Sequence, residues 1–298
     1  MTIEELKKQV DDTHILPLTN DIIFKNVFIN NKAILVKMLK DIFKDEKMKI
    51  DMDKFDVVAG YETLPPSIDG KVYRGDIYVK MSDYSYALIE MNNHSDSSIL
   101  ERNLVNLVRL QNQVLKKGTG DQVLKYYRLK GLNLDNFNDG NVSPIKRNLF
   151  CDSETGEVST MLYEICNLNL EKCRKLVYDI DVRELPNEVR WGAILVENDI
   201  EVISKTLGDD MLSKEEKKSL LDTLRGVSND EGIYTECLAM EYSKLKEVNL
   251  LHNAREDGIE SKTLEVIKNM LEEKTDYEFI SKVTGKTVEE IKEIESNM

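Results

Sequence analysis

Two neighbouring stretches, KVYRGDIYVKM (71–81) and YSYALIEMN (84–92), are rich in β-branched and aromatic residues and flank a polar turn around 82–84. Two such stretches joined by a short polar turn describe a β-hairpin over residues 70–92, and successive side chains of each strand point to opposite faces. Its register decides which side chains meet. If Met81 pairs with Ser85, Asp76 falls opposite Glu90 and Arg74 opposite Asn92. A slip by one residue would send the two carboxylates to opposite faces. Both acids interrupt β-rich apolar sequence, Gly-Asp-Ile-Tyr-Val and Ala-Leu-Ile-Glu-Met, where acids are depleted.

In the aligned register the Cα atoms of Asp76 and Glu90 stand about 4.5–5.5 Å apart. Two such anions repel by about 3 kcal/mol at an effective dielectric near 20. A divalent cation removes that cost, and Mg²⁺ suits it, since it takes hard oxygen ligands together with several waters. Carboxylate-bound metal on adjacent strands is chemistry for activating a water and attacking a phosphodiester. The competing reading of the same residues is a solvated hairpin face.

Around the hairpin the chain alternates element types. LPLTNDIIFKNVF opens a helix with Pro17 before it and Thr19 or Asn20 as cap. Apolar positions Ile23, Val27, Ile34, Leu35, Met38 and Leu39 continue it as one helix to about Phe43. FDVVAGYETL is the first strand, and a short helix is expected over 3–11. After the hairpin, Asp96 or Ser97 caps ILERNLVNLVRLQNQVLKK, whose apolar stripe is Leu100, Leu104, Leu107, Val108 and Leu115, closed by Gly118. QVLKYYRLKGLNL and KRNLFCDSETGEVSTMLYEICNL are again strand-like, with a turn at 154–156. From about residue 170 helical periods dominate. The order α-β-β-β-α-β, then further strand, is that of an α/β mixed sheet with helices on both sides. The division expected is a sheet domain over 1–169 and a helical region over 170–298.

Composition narrows the function. Net charge is −14, which opposes nucleic acid as a partner, but the acid is unevenly placed. Residues 1–120 hold 17 Lys and Arg against 18 Asp and Glu, a net of −1, whereas residues 121–298 hold 24 against 37, a net of −13. No apolar run is long enough for a bilayer, and MTIEELKKQVDD lacks the apolar segment of a secretory signal. A cytoplasmic chain without a membrane partner is expected. Cys151, Cys166, Cys173 and Cys237 and three scattered histidines give no zinc spacing. Phosphate-binding loops, dinucleotide fingerprints and the nucleophile elbow are absent from the sequence.

With these residues in place, the chain resembles the recombination-promoting nuclease (Rpn) and transposase family of PD-(D/E)xK nucleases. The stretches that carry the likeness are LTNDIIFKNVF, RGDIYVK, ALIEMNN and LERNLVNLVRLQ with LKKG, and EFISKVTGKTVEEI near the end. The resemblance implies a restriction-endonuclease-like core, Mg²⁺ or Mn²⁺ as cofactor and DNA as substrate. By motif position it implies Asp76, Glu90 and the Met91 backbone carbonyl as metal ligands. Asn92 stands where that family places Gln and the wider superfamily Lys; it is an amide, one methylene shorter than Gln and without charge. Two functions follow, a metal-dependent DNA endonuclease linked to recombination or mobile elements, or a degenerate member that binds DNA or a protein partner. Asn92 is the residue that separates them.

Asp21 and Lys25 occupy the family's D-x-x-F-K position, as a helical ion pair or as auxiliary active-site groups. On the helix after the hairpin, Arg102, Asn106, Arg109 and Gln113 form a polar ridge of the phosphate-contacting type. Arg102 and Arg109 are the substrate-binding candidates, and Arg102 follows the family's E-R position.

At the C-terminus, Thr275 with Glu278 and Thr287 with Glu290 read as capping boxes, separated by the stop Gly285. A long helix over about 236–273 precedes them. The outline is a helix-turn-helix, but Glu289, Glu290, Glu293 and Glu295 face phosphate with Lys292 alone. A homo-oligomer contact or packing role is expected there rather than base reading.

Overall fold

The computed structural model describes residues 10–11, 13–44, 56–59, 77–82, 85–93, 98–114, 128–136 and 143–297. Arg74, Asp76, residues 3–9 of the helix expected over 3–11, the expected caps Asp96 and Ser97, and Leu115 and Gly118 lie outside them, while Val10 and Asp11 are described and not helical. The chain forms two compact units, 1–237 and 238–298.

The first unit opens with α1 (Asp21–Asn30) and α2 (Lys32–Phe43). Asn20 caps α1, its Oδ1 accepting from the backbone of Ile22 and Ile23, and the six expected apolar positions are all buried. The single helix expected here is two. Asn31 breaks it with φ −126° and ψ 45°, held by its own side chain, whose Nδ2 donates to Val27 O (2.9 Å) and to Thr223 Oγ1. A buried asparagine that can bond its own backbone offers the chain an alternative to the helix.

Strands β1 (Asp56–Ala59), β2 (Ile77–Ser82) and β3 (Ser85–Asn92) follow, then α3 (Ile99–Val114), β4 (Arg128–Asp135), β5 (Ile145–Cys151) and β6 (Val158–Asn169). They form a six-stranded sheet of order β1-β2-β3-β4-β6-β5. The core strands β3, β4 and β6 are parallel, and β1, β2 and β5 run antiparallel to their neighbours. The hairpin register at Ile77↔Ile89 is the one expected. At the turn it is not: the ladder slips between Lys80 and Ser82 and closes on Ser82↔Ser85 instead of Met81↔Ser85. A bulge of this kind absorbs one residue and leaves the register beyond it intact. Between β5 and β6, Asp152 turns the chain, its Oδ1 accepting from the Glu154 and Thr155 backbone. Gly156 takes the left-handed φ of 72° that the turn requires.

Helices cover both faces of this sheet. On one, α3 lays Leu107 and Leu110 over Tyr86, Leu88, Leu129 and Ile165. Gly131 lies beneath Leu107; a Cβ there would sit 3.3 Å from Ile165 Cγ1. The apolar stripe expected on α3 is met in part: Leu107 is buried and Leu104 packs beside it, but Leu100 and Val108 are exposed and the buried side continues through Ile99, Asn103, Asn106 and Leu110. Its asparagines are held inside by polar partners on the strands, which periodicity of apolar residues does not reveal.

On the other face, Lys130 and Glu164 from adjacent strands form a buried ion pair, Nζ to Oε2 2.7 Å, under the Phe43 ring. Helices α4 (Leu170–Asp179), α5 (Asn187–Val196), α6 (Ile200–Thr206), α7 (Gly208–Met211) and α8 (Lys214–Ser228) then complete the unit with the start of α9 (Glu231–Glu272). Burial pushes the Cys166 and Cys173 thiols up to about 12, so both behave as inert core groups.

In the second unit, α9 ends against α10 (Tyr277–Thr284) and α11 (Val288–Ser296), where Ile267, Ile280 and Ile291 form a small core. The cap of α10 is Asp276, accepting from Phe279 N, rather than Thr275. The Thr287 capping box and the left-handed Gly285 stop are as expected. Among the described residues no helix is long and apolar enough to cross a membrane.

Breaking a buried ion pair costs more than replacing it whole. Glu164→Gln, which removes the carboxylate paired with Lys130, is expected to cost about 3–5 kcal/mol, and Lys130→Met with Glu164→Leu much less. Urea denaturation of both variants measures the difference.

Candidate active site

Three strands of the sheet end alike. Glu90-Met91-Asn92 closes β3, Asn133-Leu134-Asp135 closes β4 and Asn167-Leu168-Asn169 closes β6. The parallel register aligns them in two rows, Glu90↔Asn133↔Asn167 and Asn92↔Asp135↔Asn169. Alternation puts these six on the α3 side of the sheet, while Met91, Leu134 and Leu168 take the opposite side. Ligands of open α/β sheets bind outside the carboxyl ends of the strands, and this is that end.

The cluster is centred on buried side chains joined by hydrogen bonds. Glu90 is 6% exposed, and its Oε1 accepts from Asn106 Nδ2 of α3 at 3.1 Å. Asn92 donates through Nδ2 to Asp135 Oδ1 at 2.8 Å. Its Oδ1 accepts from Arg102 Nη2 at 3.2 Å. Asp135, also 6% exposed, accepts further from Asn167 Nδ2 at 3.4 Å, and Asn148 of β5 donates to Asn167 Oδ1 at 3.1 Å. Asn103 Nδ2 donates to Asn133 Oδ1 at 2.9 Å. A relay of amides and carboxylates thus runs from the edge strand β5 across β6, β4 and β3 to a guanidinium on α3.

Buried carboxylates are tolerated where charge-assisted hydrogen bonds or a cation offset the lost hydration. Among the described residues of the cluster, the buried Asn103 Oδ1 and Asn106 Oδ1 have no hydrogen-bond donor and the buried Asn133 Nδ2 has no acceptor; Asn106 Oδ1 belongs to the amide that donates to Glu90. Acceptor oxygens left over beside a buried carboxylate are what a hydrated hard cation satisfies. The donor set here is oxygen alone, which fits Mg²⁺ or Mn²⁺ better than a softer metal. Among the described residues no three His, Cys, Asp or Glu side chains gather as metal ligands; Mg²⁺ sites manage with one or two carboxylates and water.

Of the residues expected from the sequence, the structure brings together Glu90, Asn92 and Arg102. Asp76 lies outside the described residues, directly before Ile77. Met91 is half-buried on β3 between Glu90 and Asn92. Lys25 is half-buried on α1, and among the described residues no hydrogen bond or ion pair joins it to the cluster; Asp21 opens the same helix, its side chain outside the description. Arg109 is half-buried on α3, two positions past Leu107. Asn106 belongs to no solvent ridge: at 3% exposure it faces Glu90.

Sequence reasoning missed Asn103, Asn133, Asp135, Asn148 and Asn167. The signal was present for three of them, because Leu-Asn-Leu-Asp and Cys-Asn-Leu-Asn interrupt apolar strands at the same spacing as Glu-Met-Asn.

A mixed sheet with a parallel core, helices on both faces and a buried carboxylate at the strand ends defines a restriction-endonuclease-like fold followed by C-terminal helices. A family model described as PD-(D/E)XK nuclease family transposase matches residues 18–253, and the chain belongs to that family. Membership supports a nuclease-type function. No curated protein and no solved structure matches the chain.

The Asn106–Glu90 contact makes a pH-dependent prediction. Asn106→Asp sets two buried carboxylates at hydrogen-bond distance, which raises one folded-state pKa above its unfolded value. The variant's stability, measured in EDTA, is therefore expected near that of the unsubstituted chain at pH 4 and progressively lower as the pH rises to 8. Thermal melts across that range check the sign.

Proposed function

We propose that the chain is a metal-dependent DNA endonuclease acting in recombination or in the movement of a DNA element. The observation that carries this reading is the row of aligned strand ends burying Glu90 among amides with acceptor oxygens to spare. One further step of the Ile77↔Ile89 register would set Asp76 opposite Glu90. Asp76, Glu90 and the Met91 carbonyl would then hold Mg²⁺ or Mn²⁺. Bound there, a divalent cation supplies an acidified water and neutralises charge developing on a phosphate.

The chain's own residues do the rest. Asn106 fixes the Glu90 carboxylate by a hydrogen bond. Arg102 is exposed at the mouth of the cluster with its guanidinium on Asn92, in reach of solvent and so of a phosphate. Asn92 carries no charge, and Arg102 brings a cation to the position where the wider superfamily carries Lys. Arg109 serves as a second phosphate contact, and Asp21 and Lys25 as auxiliary groups.

Purified chain incubated with plasmid is expected to nick it with Mg²⁺ or Mn²⁺ and not with EDTA. Glu90→Gln and Asp76→Asn should each lower the rate at least a hundredfold while the melting temperature stays within a few degrees. Metal-dependent cutting by either variant at the unsubstituted rate defeats the assignment. DNA binding without cutting by the unsubstituted chain would mark the degenerate alternative.

The C-terminal helices serve assembly in this proposal. In α10, Phe279 and Val283 are exposed one turn apart, an apolar pair on the surface. Deleting 275–298 is expected to lower the mass in solution and leave DNA affinity per subunit unchanged. Loss of DNA binding at constant mass would reverse that reading; light scattering and a DNA titration distinguish the two.

A further inference from the structure

The Asn92 amide is fixed at both ends by groups with no choice of role. A carboxylate only accepts, so Asp135 must meet Nδ2; a guanidinium only donates, so Arg102 must meet Oδ1. The orientation of an amide, ordinarily ambiguous, is settled here by its neighbours. Arg102 is exposed and its side chain is long, whereas Asp135 is buried and tied a second time by Asn167. The rigid end of the chain of contacts is Asp135 and the adaptable end is Arg102.

We propose that Asp135 is a positioning residue of the site, holding the Asn92 amide with its oxygen toward α3 so that the Arg102 guanidinium is seated at the strand ends. The inference rests on the nuclease reading for the purpose of that guanidinium, contact with a DNA phosphate. Asp135 itself touches no substrate. Its effect passes through Asn92. If residue 135 were an amide, both ends of Asn92 could bond in either orientation at the strand side. The flipped form presents Nδ2 to Arg102, where donor meets donor.

Asp135→Asn is close to isosteric and tests this directly. Binding of a short DNA duplex to the full-length chain is measured in EDTA at several salt concentrations, so that cleavage plays no part. Arg102→Ala is expected to reduce the slope of log affinity against log salt by about one, as loss of one phosphate contact does. Asp135→Asn is expected to weaken binding about tenfold, the scale of a hydrogen bond to a charged group. In the Arg102→Ala background the same substitution should change affinity less than twofold. A merely structural Asp135 would cost the same in both backgrounds. Equal weakening in the two, or none in the unsubstituted chain, overturns the proposal.

Should Asp135→Asn fail to fold, Asn92→Ala breaks the same link. Removing Arg102 should then cost less than twofold, and an undiminished cost would overturn the proposal. Plasmid cleavage with Mg²⁺ separates the two readings. A chain that cuts DNA but gives an additive cycle keeps its nuclease function and loses the role of Asp135. A chain that fails to cut yet shows the coupling keeps Asp135 as an organiser of DNA contact. A chain that binds no DNA loses both.

Discussion

Burial of polar groups at the ends of β3, β4 and β6 is the constraint on which the site depends. Glu90, Asn92, Asn133, Asp135 and Asn169 are taken out of water together, and none could be buried singly without the cost of an unmet hydrogen bond. They are tolerated because the parallel register delivers them in rows and α3 adds Arg102, Asn103 and Asn106 from above. Partners on four strands and a helix make the cluster a property of the whole sheet.

The opposite face of the same strands shows what that arrangement requires. On β4, Lys130, Leu132 and Leu134 lie under the helices opposite α3, while Gly131, Asn133 and Asp135 lie on the α3 side. One side carries apolar contacts and the Lys130–Glu164 pair. On the other side the apolar cluster around Leu107 occupies the strand middles and gives way to polarity at their ends. A strand buried on both faces can therefore hold a polar site without losing its core.

Much of this was legible in the sequence. Two β-rich stretches on either side of a polar turn gave the hairpin, and its register at Ile77↔Ile89 followed from pairing them. Turn chemistry placed Gly156 and Gly285, and the apolar spacing of 23, 27, 34, 35, 38 and 39 placed the core side of α1 and α2. What was not legible is instructive. The break at Asn31 depends on Thr223 and Ser219, far along the chain. Asn106 looked like a surface donor because asparagine is polar; its burial follows from Glu90, a partner that only the fold supplies. Asp135 stood in plain view as part of Leu-Asn-Leu-Asp, but its meaning needs β4 beside β3, and β3 and β4 are neighbours only through the crossover of α3.

The relay from Asn148 to Arg102 has a consequence for synthesis. Glu90 and Asn92 leave the ribosome before Asp135, and Asn167 follows Glu90 by 77 residues, about 4–15 s at ordinary rates of about 5–20 residues per second. Until β6 pairs with β4, Asp135 lacks its second tether and the strand ends are not aligned. A nascent chain therefore carries the residues of the cluster without its geometry. Strand order therefore sets when the cluster takes its shape: its geometry is complete only once β6, the last strand of the parallel core, is in place.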